Sequence, residues 1–181
     1  MSLFNVAEIN LCTTSEGPGK RLAIWFQGCN IGCTGCCNQE FIPLQPRHML
    51  YLESLVEIIV DAHNHFGIEG VTYLGGEPTL QRSLPELTAT IQKLGLGVIT
   101  FTGRNYEDVG ELLAGVDLVI DGPYVQNFPD KARRIIGSTN QRIIHLTERY
   151  KEQEKWFYDR LEQKGEFNIS SDGIVFNGET L

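Results

Sequence analysis

The sequence predicts an α/β fold organised around parallel strands, and three observations carry that expectation. Helical and strand periodicities alternate between residues 52 and 120. Each strand predicted in that stretch runs directly into a glycine-bearing turn. The chain has 181 residues, of which 41% are hydrophobic and 21% charged, an ordinary composition sufficient for one domain with a proper core.

The elements follow in order. Val6 to Leu11 reads as a short extended start. Gly17-Pro18-Gly19 then marks a turn within the loop Thr13 to Lys20. Leu22 to Phe26 reads as a buried strand that feeds a cysteine-rich loop. Leu52, Leu55, Val56 and Ile59 recur at helical spacing. Val71 to Leu74 is a short strand ending at Gly75-Gly76. Leu84, Leu87, Ile91 and Leu94 mark a second helix with Ser83 as its candidate cap. Gly97 to Phe101 is the next strand. Tyr106, Val109, Leu112 and Leu113 mark a third helix, and Val116 to Ile120 a further strand ending at Asp121-Gly122-Pro123. The tail reads as a helix over Glu148 to Leu161, with Tyr150, Phe157 and Leu161 on one face. A closing hairpin follows, in which Phe167, Ile169, Ile174 and Phe176 alternate around Asp172-Gly173.

Alternating strands and helices imply βαβ units with right-handed crossovers. Ligands in such folds bind at the carboxyl ends of the strands. The cysteine loop, Gly75-Gly76-Glu77-Pro78, Thr102-Gly103 and Asp121-Gly122 are all expected on that one rim.

Charge narrows the function classes. The 23 acidic residues exceed the 15 basic ones, for a formal net charge of −8. A general nucleic-acid binder needs a basic footprint, so no nucleic-acid partner is expected. No apolar run is long enough to span a bilayer, and Met1-Ser2-Leu3-Phe4-Asn5 lacks the charged and apolar regions of a signal peptide. The expected setting is the cytoplasm, with no membrane association.

Cys29, Cys33 and Cys36 form a C-x3-C-x2-C cluster within residues 27–38. Three closely spaced thiolates can hold three irons of a cubane iron–sulfur cluster, where the usual set is four cysteines. The fourth iron then keeps an open position, as catalytic zinc does and structural zinc does not. A zinc knuckle is the alternative, with Cys37, His48 or Cys12 as fourth ligand; Cys36 and Cys37 are poorly disposed to share a metal because neighbouring side chains point apart. A disulfide framework fits five cysteines and a reducing compartment badly.

Several segments together carry a family resemblance. They are Gly17-Pro18-Gly19-Lys20-Arg21, Trp25-Phe26-Gln27-Gly28-Cys29, Cys36-Cys37-Asn38, Gly75-Gly76-Glu77-Pro78, the run from Asp117 to Tyr124, and Gly137-Ser138-Thr139-Asn140-Gln141-Arg142. Over residues 9 to 150 the chain resembles radical S-adenosylmethionine (SAM) enzymes. More narrowly, it is similar to the small activating enzymes of glycyl-radical enzymes, of the anaerobic ribonucleotide reductase activase type. Cys37 departs from that pattern, standing where the subgroup usually carries an aromatic residue. It is expected to line the site as a small apolar group, or to undergo a redox side reaction, and not to ligate a cluster.

The resemblance implies a shortened, open (β/α) partial barrel of the radical SAM type, with the C-terminal helix and hairpin appended and residues 1–181 forming a single domain. A complete eight-unit barrel takes about 250 residues. It implies a [4Fe-4S] cluster on Cys29, Cys33 and Cys36, with SAM chelating the open iron through its amino and carboxylate groups. An external electron donor reduces the cluster, and SAM breaks to methionine and a 5′-deoxyadenosyl radical. That radical takes hydrogen from a glycine of a partner glycyl-radical enzyme. No general base is required, so no catalytic side chain is expected.

The resemblance also marks cofactor-binding positions. Gly75 and Gly76 would let backbone approach the methionine moiety, Glu77 with the strand-end carbonyls would accept from its ammonium, and Pro78 is a binding position of the same segment. Thr102 and Gly103 are ribose or adenine contacts, or plain turn residues. Arg142 is favoured as a functional cation. Lys131, Arg133 and Arg134 either meet the SAM carboxylate or a protein substrate, or belong to a solvated loop. Arg21 belongs to the core or to a loop ion pair. Cys12 reads as a buried small residue, and His48, His63, His65 and His145 need no role. Two other readings remain open: radical SAM modification of a peptide or small molecule, and a non-enzymatic metal-binding module.

Overall fold

The computed structural model describes residues 2–159, 165–170 and 173–178. Seven strands form one sheet: β1 (Leu3–Thr13), β2 (Arg21–Phe26), β3 (His48–Tyr51), β4 (Gly70–Gly75), β5 (Gly97–Thr102), β6 (Leu118–Asp121) and β7 (Arg142–His145). Their spatial order is β3-β1-β2-β4-β5-β6-β7. The inner four, β2, β4, β5 and β6, are mutually parallel, while β1, β3 and β7 run antiparallel to their neighbours. Edge strands β3 and β7 do not meet, so the architecture is an open, partial (β/α) barrel.

Register places the site. Phe26 stands opposite Gly75, and Thr102 opposite Asp121. The four parallel strands therefore end at one level, and the four segments expected on a common rim share it.

A parallel sheet is buried on both faces, so its strands read as continuous apolar runs. On one face Leu22, Ile24, Phe26, Val71, Tyr73, Val98 and Val119 pack with Leu55 and Ile59 of α1 (Leu52–Phe66) and Leu84, Leu87 and Ile91 of α2 (Leu84–Lys93). Each such fully buried side chain contributes about 1.5–3 kcal/mol. The alternate positions face the other way: Ala23, Trp25 and Leu74 form one small cluster, and Ile99, Leu118 and Ile120 join Tyr150 and Phe157 in another. Helix α1 stops at Gly67, whose left-handed φ of 66° lets its N–H reach His63 O at 3.0 Å. Among the described residues no helix is long and apolar enough to cross a membrane.

Several expectations are corrected. The first strand is longer than expected, with register shifts after Val6 and Asn10. Strands β3 and β7 escaped the periodicity reading because neither carries a buried residue to set an apolar pattern, whereas β6, also four residues long, is buried throughout. The third helix is one α-turn, α3 (Tyr106–Val109), continued as a 3-10 turn over Gly110–Leu113; Gly110 at the junction is a weak helix former. Ser83 precedes α2 without a side-chain capping bond. The expected tail helix is a 3-10 helix over Lys151–Phe157. Residues 151–155 are all exposed, so it has no buried stripe to hold an α-helix. Leu161 and Asp172 lie outside the described residues. The hairpin forms from β8 (Gly165–Ser170) and β9 (Gly173–Gly178), with Phe167 opposite Phe176 and Ile169 opposite Ile174.

Candidate functional site

The loop after β2 is tied down on both sides before it presents any thiol. Gly28 N and Cys29 N donate to Phe41 O and Ile42 O at 2.8 and 3.0 Å. Asn38 Nδ2 donates to Gly75 O at 3.2 Å, anchoring the loop's far end to the end of β4. Arg104 Nη2 donates to Asn30 Oδ1 at 2.8 Å, anchoring its middle to the end of β5. Gly32 and Gly35, both near φ 75°, supply the left-handed turns that coil the chain between the cysteines.

The outcome is a cavity of about 850 Å³ whose wall includes Cys29, Cys33, Cys36 and Cys37. Gly75, Gly76, Glu77, Pro78 and Thr102 line the same cavity, as do Trp25, Leu74 and Phe101 from the sheet. All five cysteines are free thiols. Burial pushes the Cys29 thiol up, while the N–H of Ile31, 3.5 Å from its Sγ, opposes that rise. Burial likewise raises Cys37. Three free thiols on one wall, carried by a loop fixed at three points, fit a cluster that takes one sulfur per iron. Of the other zinc-ligand candidates, Cys12 lies on β1 against the core and His48 is exposed on edge strand β3. Among the described residues no three His, Cys, Asp or Glu side chains converge as for a single ion.

Glu77 lines the cavity yet is fully buried, and its carboxylate is occupied by the protein. Oε1 accepts from Thr79 N at 3.0 Å, Thr79 Oγ1 at 2.6 Å and Thr102 Oγ1 at 2.8 Å; Oε2 accepts from Gly103 N at 2.9 Å. Thr102 in turn accepts from Arg104 N at 3.1 Å. Both side chains thus brace the rim by joining the ends of β4 and β5. Glu77→Ala orphans the buried Thr79 N–H, the half-buried Gly103 N–H and two threonine hydroxyls, and is expected to destabilise by about 3 kcal/mol. Glu77→Gln keeps one acceptor and should lose less. Urea midpoints of the two variants check this, and an unchanged Glu77→Ala midpoint contradicts it.

The basic residues separate. Arg142 is absent from the cavity wall; its guanidinium bonds Glu107 at 2.8 Å and the buried Asp121, which also accepts from Tyr106 N at 2.7 Å. Arg134 is buried with its guanidinium 4.1 Å from the Trp156 ring centre. Lys131 is exposed. Arg133 alone of the three lines the cavity. It bonds Asp130 at 2.6 Å, Gln141 O at 2.9 Å and Thr139 O at 3.4 Å, so it folds the covering segment 130–141 on itself.

Burial pushes the Asp130 carboxyl up, but N–H groups of Arg133 and Ala132 and the Arg133 guanidinium outweigh it and hold the pKa below its ordinary 3.8. A depressed folded pKa gives stability present above the unfolded value and lost as pH falls through the folded one. Segment 130–141 should therefore keep its intrinsic-rate-corrected hydrogen-exchange protection from pH 7 to about 4 and lose it only below. Loss at pH 6 would contradict the assignment.

Glu8 and Glu16 also line the cavity and carry no motif in the sequence, whereas Tyr124 and Gln141, which line it too, stand within the segments that carry the resemblance. Strand parity offered a further signal for part of the wall: Trp25, opposite Leu74, faces away from the helices.

Residues 15–144 match a family described as 4Fe-4S single cluster domain. The chain is similar to the anaerobic ribonucleoside-triphosphate reductase-activating protein of Enterobacteria phage T4, 28% identical over 151 residues, or 80% of this chain and 96% of that protein. It is similar to the pyruvate formate-lyase-activating enzyme of Clostridium pasteurianum, 33% identical over 112 residues, or 58% of this chain and 46% of that enzyme. Among solved structures, QueE from Escherichia coli matches with a TM-score of 0.47 at 20% identity, over 56% of this chain and 52% of that one.

Proposed function

Because the chain belongs to the 4Fe-4S single cluster domain family, we propose that it is a radical SAM activating enzyme whose cluster sits on Cys29, Cys33 and Cys36. The observation that carries the reading is the cavity in which those thiols share a wall with Gly75-Gly76-Glu77-Pro78. When bound, the cluster and SAM supply a one-electron reductive cleavage that yields a carbon radical.

The chain's own contribution is position and shielding. Cys29, Cys33 and Cys36 would hold the cluster, one thiolate to an iron, with an open position left for SAM. Gly75 and Gly76 bring bare backbone to the cavity, and Pro78 and Thr102 close its rim. Glu77 acts by holding the rim through its four protein donors. Trp25, Leu74 and Phe101 form an apolar wall that excludes water from a reactive radical. Arg142 steadies the end of β6 through Asp121.

The partner is a glycyl-radical enzyme of the anaerobic ribonucleotide reductase kind, and the product is a glycyl radical in that partner. The names of the phage T4 and Clostridium relatives support this, as does the open barrel, whose unpaired edges leave room for an inserted loop. An external reductant supplies the electron, in the cytoplasm. Residues 1–181 act as a single domain, supported by the bond from β8 to the loop after β1.

The test is anaerobic. Iron and sulfide are loaded, dithionite and SAM added, and 5′-deoxyadenosine measured beside Cys33→Ala. Product from the parent protein alone is expected. Zinc retention with no iron uptake would overturn the reading.

A further inference from the structure

Residues Ser15, Glu16, Gly17 and Pro18 are buried although they belong to no strand or helix. A buried irregular loop must find partners for its backbone polar groups outside any ladder. Glu16 O accepts from Thr72 Oγ1 at 2.8 Å, Pro18 O from Arg21 Nη1 at 3.3 Å, and Ser15 N donates to Thr13 Oγ1 at 3.0 Å. A further tie comes from the distant hairpin. Glu166 on β8 accepts from both Thr14 N and Thr14 Oγ1 at 2.8 Å, and the Thr13 and Ser15 hydroxyls also bond it. One residue beyond this clasp, Glu16 is 8% exposed and lines the cavity with the cysteines.

We propose that Glu166 is a positioning residue of the cofactor cavity: it pins Thr13-Thr14-Ser15 and so holds the Glu16 carboxylate in the cavity wall. A carboxylate suits this task because one group accepts several donors at once, and charge-assisted bonds are about twice as strong as neutral ones. The hairpin thereby acts on the site through Glu166. The kinetic part of this inference rests on the radical SAM reading; the structural part does not.

The test uses the full chain with Glu166→Ala, Glu166→Gln, Glu16→Gln and the double variant Glu16→Gln/Glu166→Ala. Hydrogen exchange is read on the protein without cofactors. Glu166→Ala should lose at least about tenfold protection at residues 13–19, the worth of a single charge-assisted bond where several are removed, and none at 84–93. After reconstitution its iron content should equal the parent's, while kcat/KM for SAM cleavage falls about tenfold. Glu166→Gln, which keeps a carbonyl acceptor, should restore part of both. The double variant should be no worse than Glu16→Gln, because both changes act through one carboxylate. Unchanged protection at 13–19, or defects that multiply in the double variant, would overturn the proposal. Should Glu166→Ala not fold, Glu166→Gln decides between the same outcomes. Should the parent cleave no SAM, the enzymatic reading fails while the exchange data still decide the clasp.

Discussion

Cluster retention is expected to collapse when Gly76 becomes alanine. A Cβ at this position would stand 2.2 Å from Gly28 O and 2.7 Å from Phe41 O, both backbone atoms that no rotamer change can move aside. This is the crossing where two rim loops touch. Gly76 N donates to Phe26 O and Glu77 N to Gly28 O, each at 2.8 Å, and Gly28 directly precedes Cys29. A methyl group forces the cysteine loop off the end of β4 and separates the thiols from the rest of the cavity wall. Loss of support around ligands typically weakens metal binding about 10–100-fold. Iron and acid-labile sulfide, measured after anaerobic reconstitution and gel filtration, check this. Gly110→Ala is the control, since its nearest neighbour would stand at an ordinary 3.4 Å. Full iron content in Gly76→Ala would mean that the crossing yields, and the argument for a rigid rim would fail.

Stability, in contrast, is expected to fall most steeply at the opposite end of the strands. Arg21 is fully buried and meets no carboxylate within bonding distance among the described residues. Its guanidinium is shared among neutral oxygens: Thr72 Oγ1 at 2.5 Å, Val71 O at 2.6 Å, Tyr150 Oη at 2.8 Å and Pro18 O at 3.3 Å. The ring of Tyr150 lies 5.2 Å from its charge centre. Burial lowers its pKa, and the Tyr150 hydroxyl opposes that fall. Gly70 and Gly97 leave the space: a Cβ on Gly97 would sit 2.2 Å from Tyr150 Oη, and one on Gly70 2.9 Å from the guanidinium. Arg21→Ala opens a void and strips five buried oxygens of a partner at once, Gly97 O at 3.4 Å being the fifth, so a loss of about 4 kcal/mol is expected. At an m-value of about 2 kcal/mol/M that lowers the urea midpoint by about 2 M. Lysine lacks the planar fork and should recover less than half. Exposed Arg82→Ala should stay within about 0.5 kcal/mol of the parent. A midpoint unmoved in Arg21→Ala would show that the cluster of oxygens is satisfied without it.

Legibility differed by kind of residue. The parallel strands and first two helices were readable because their apolar periods extend over several residues. The rim segments were readable because each strand ends in a glycine turn. Strands β3 and β7 were not, since neither has a buried residue to set an apolar pattern, and the tail helix became a 3-10 helix for want of a buried face. Among the site candidates, the cysteines and Gly75-Gly76 stand out in the chain as motifs. The environments of Glu77, Arg134 and Arg142 do not, because each is set by what the fold brings beside it.

The order of the parallel strands and of the first two helices, the common rim and the cysteine cluster were determined by the chain alone, since period, glycine position and thiol spacing are local properties. Only the tertiary structure decided that Arg21 is core, that Glu77 braces two strand ends and that Glu166 clasps the loop carrying Glu16. The physical reason is separation: their bonds span 129, 25 and 152 residues respectively. A polar side chain carries no mark of its distant partner, so its role is written only once the sheet has closed the distance.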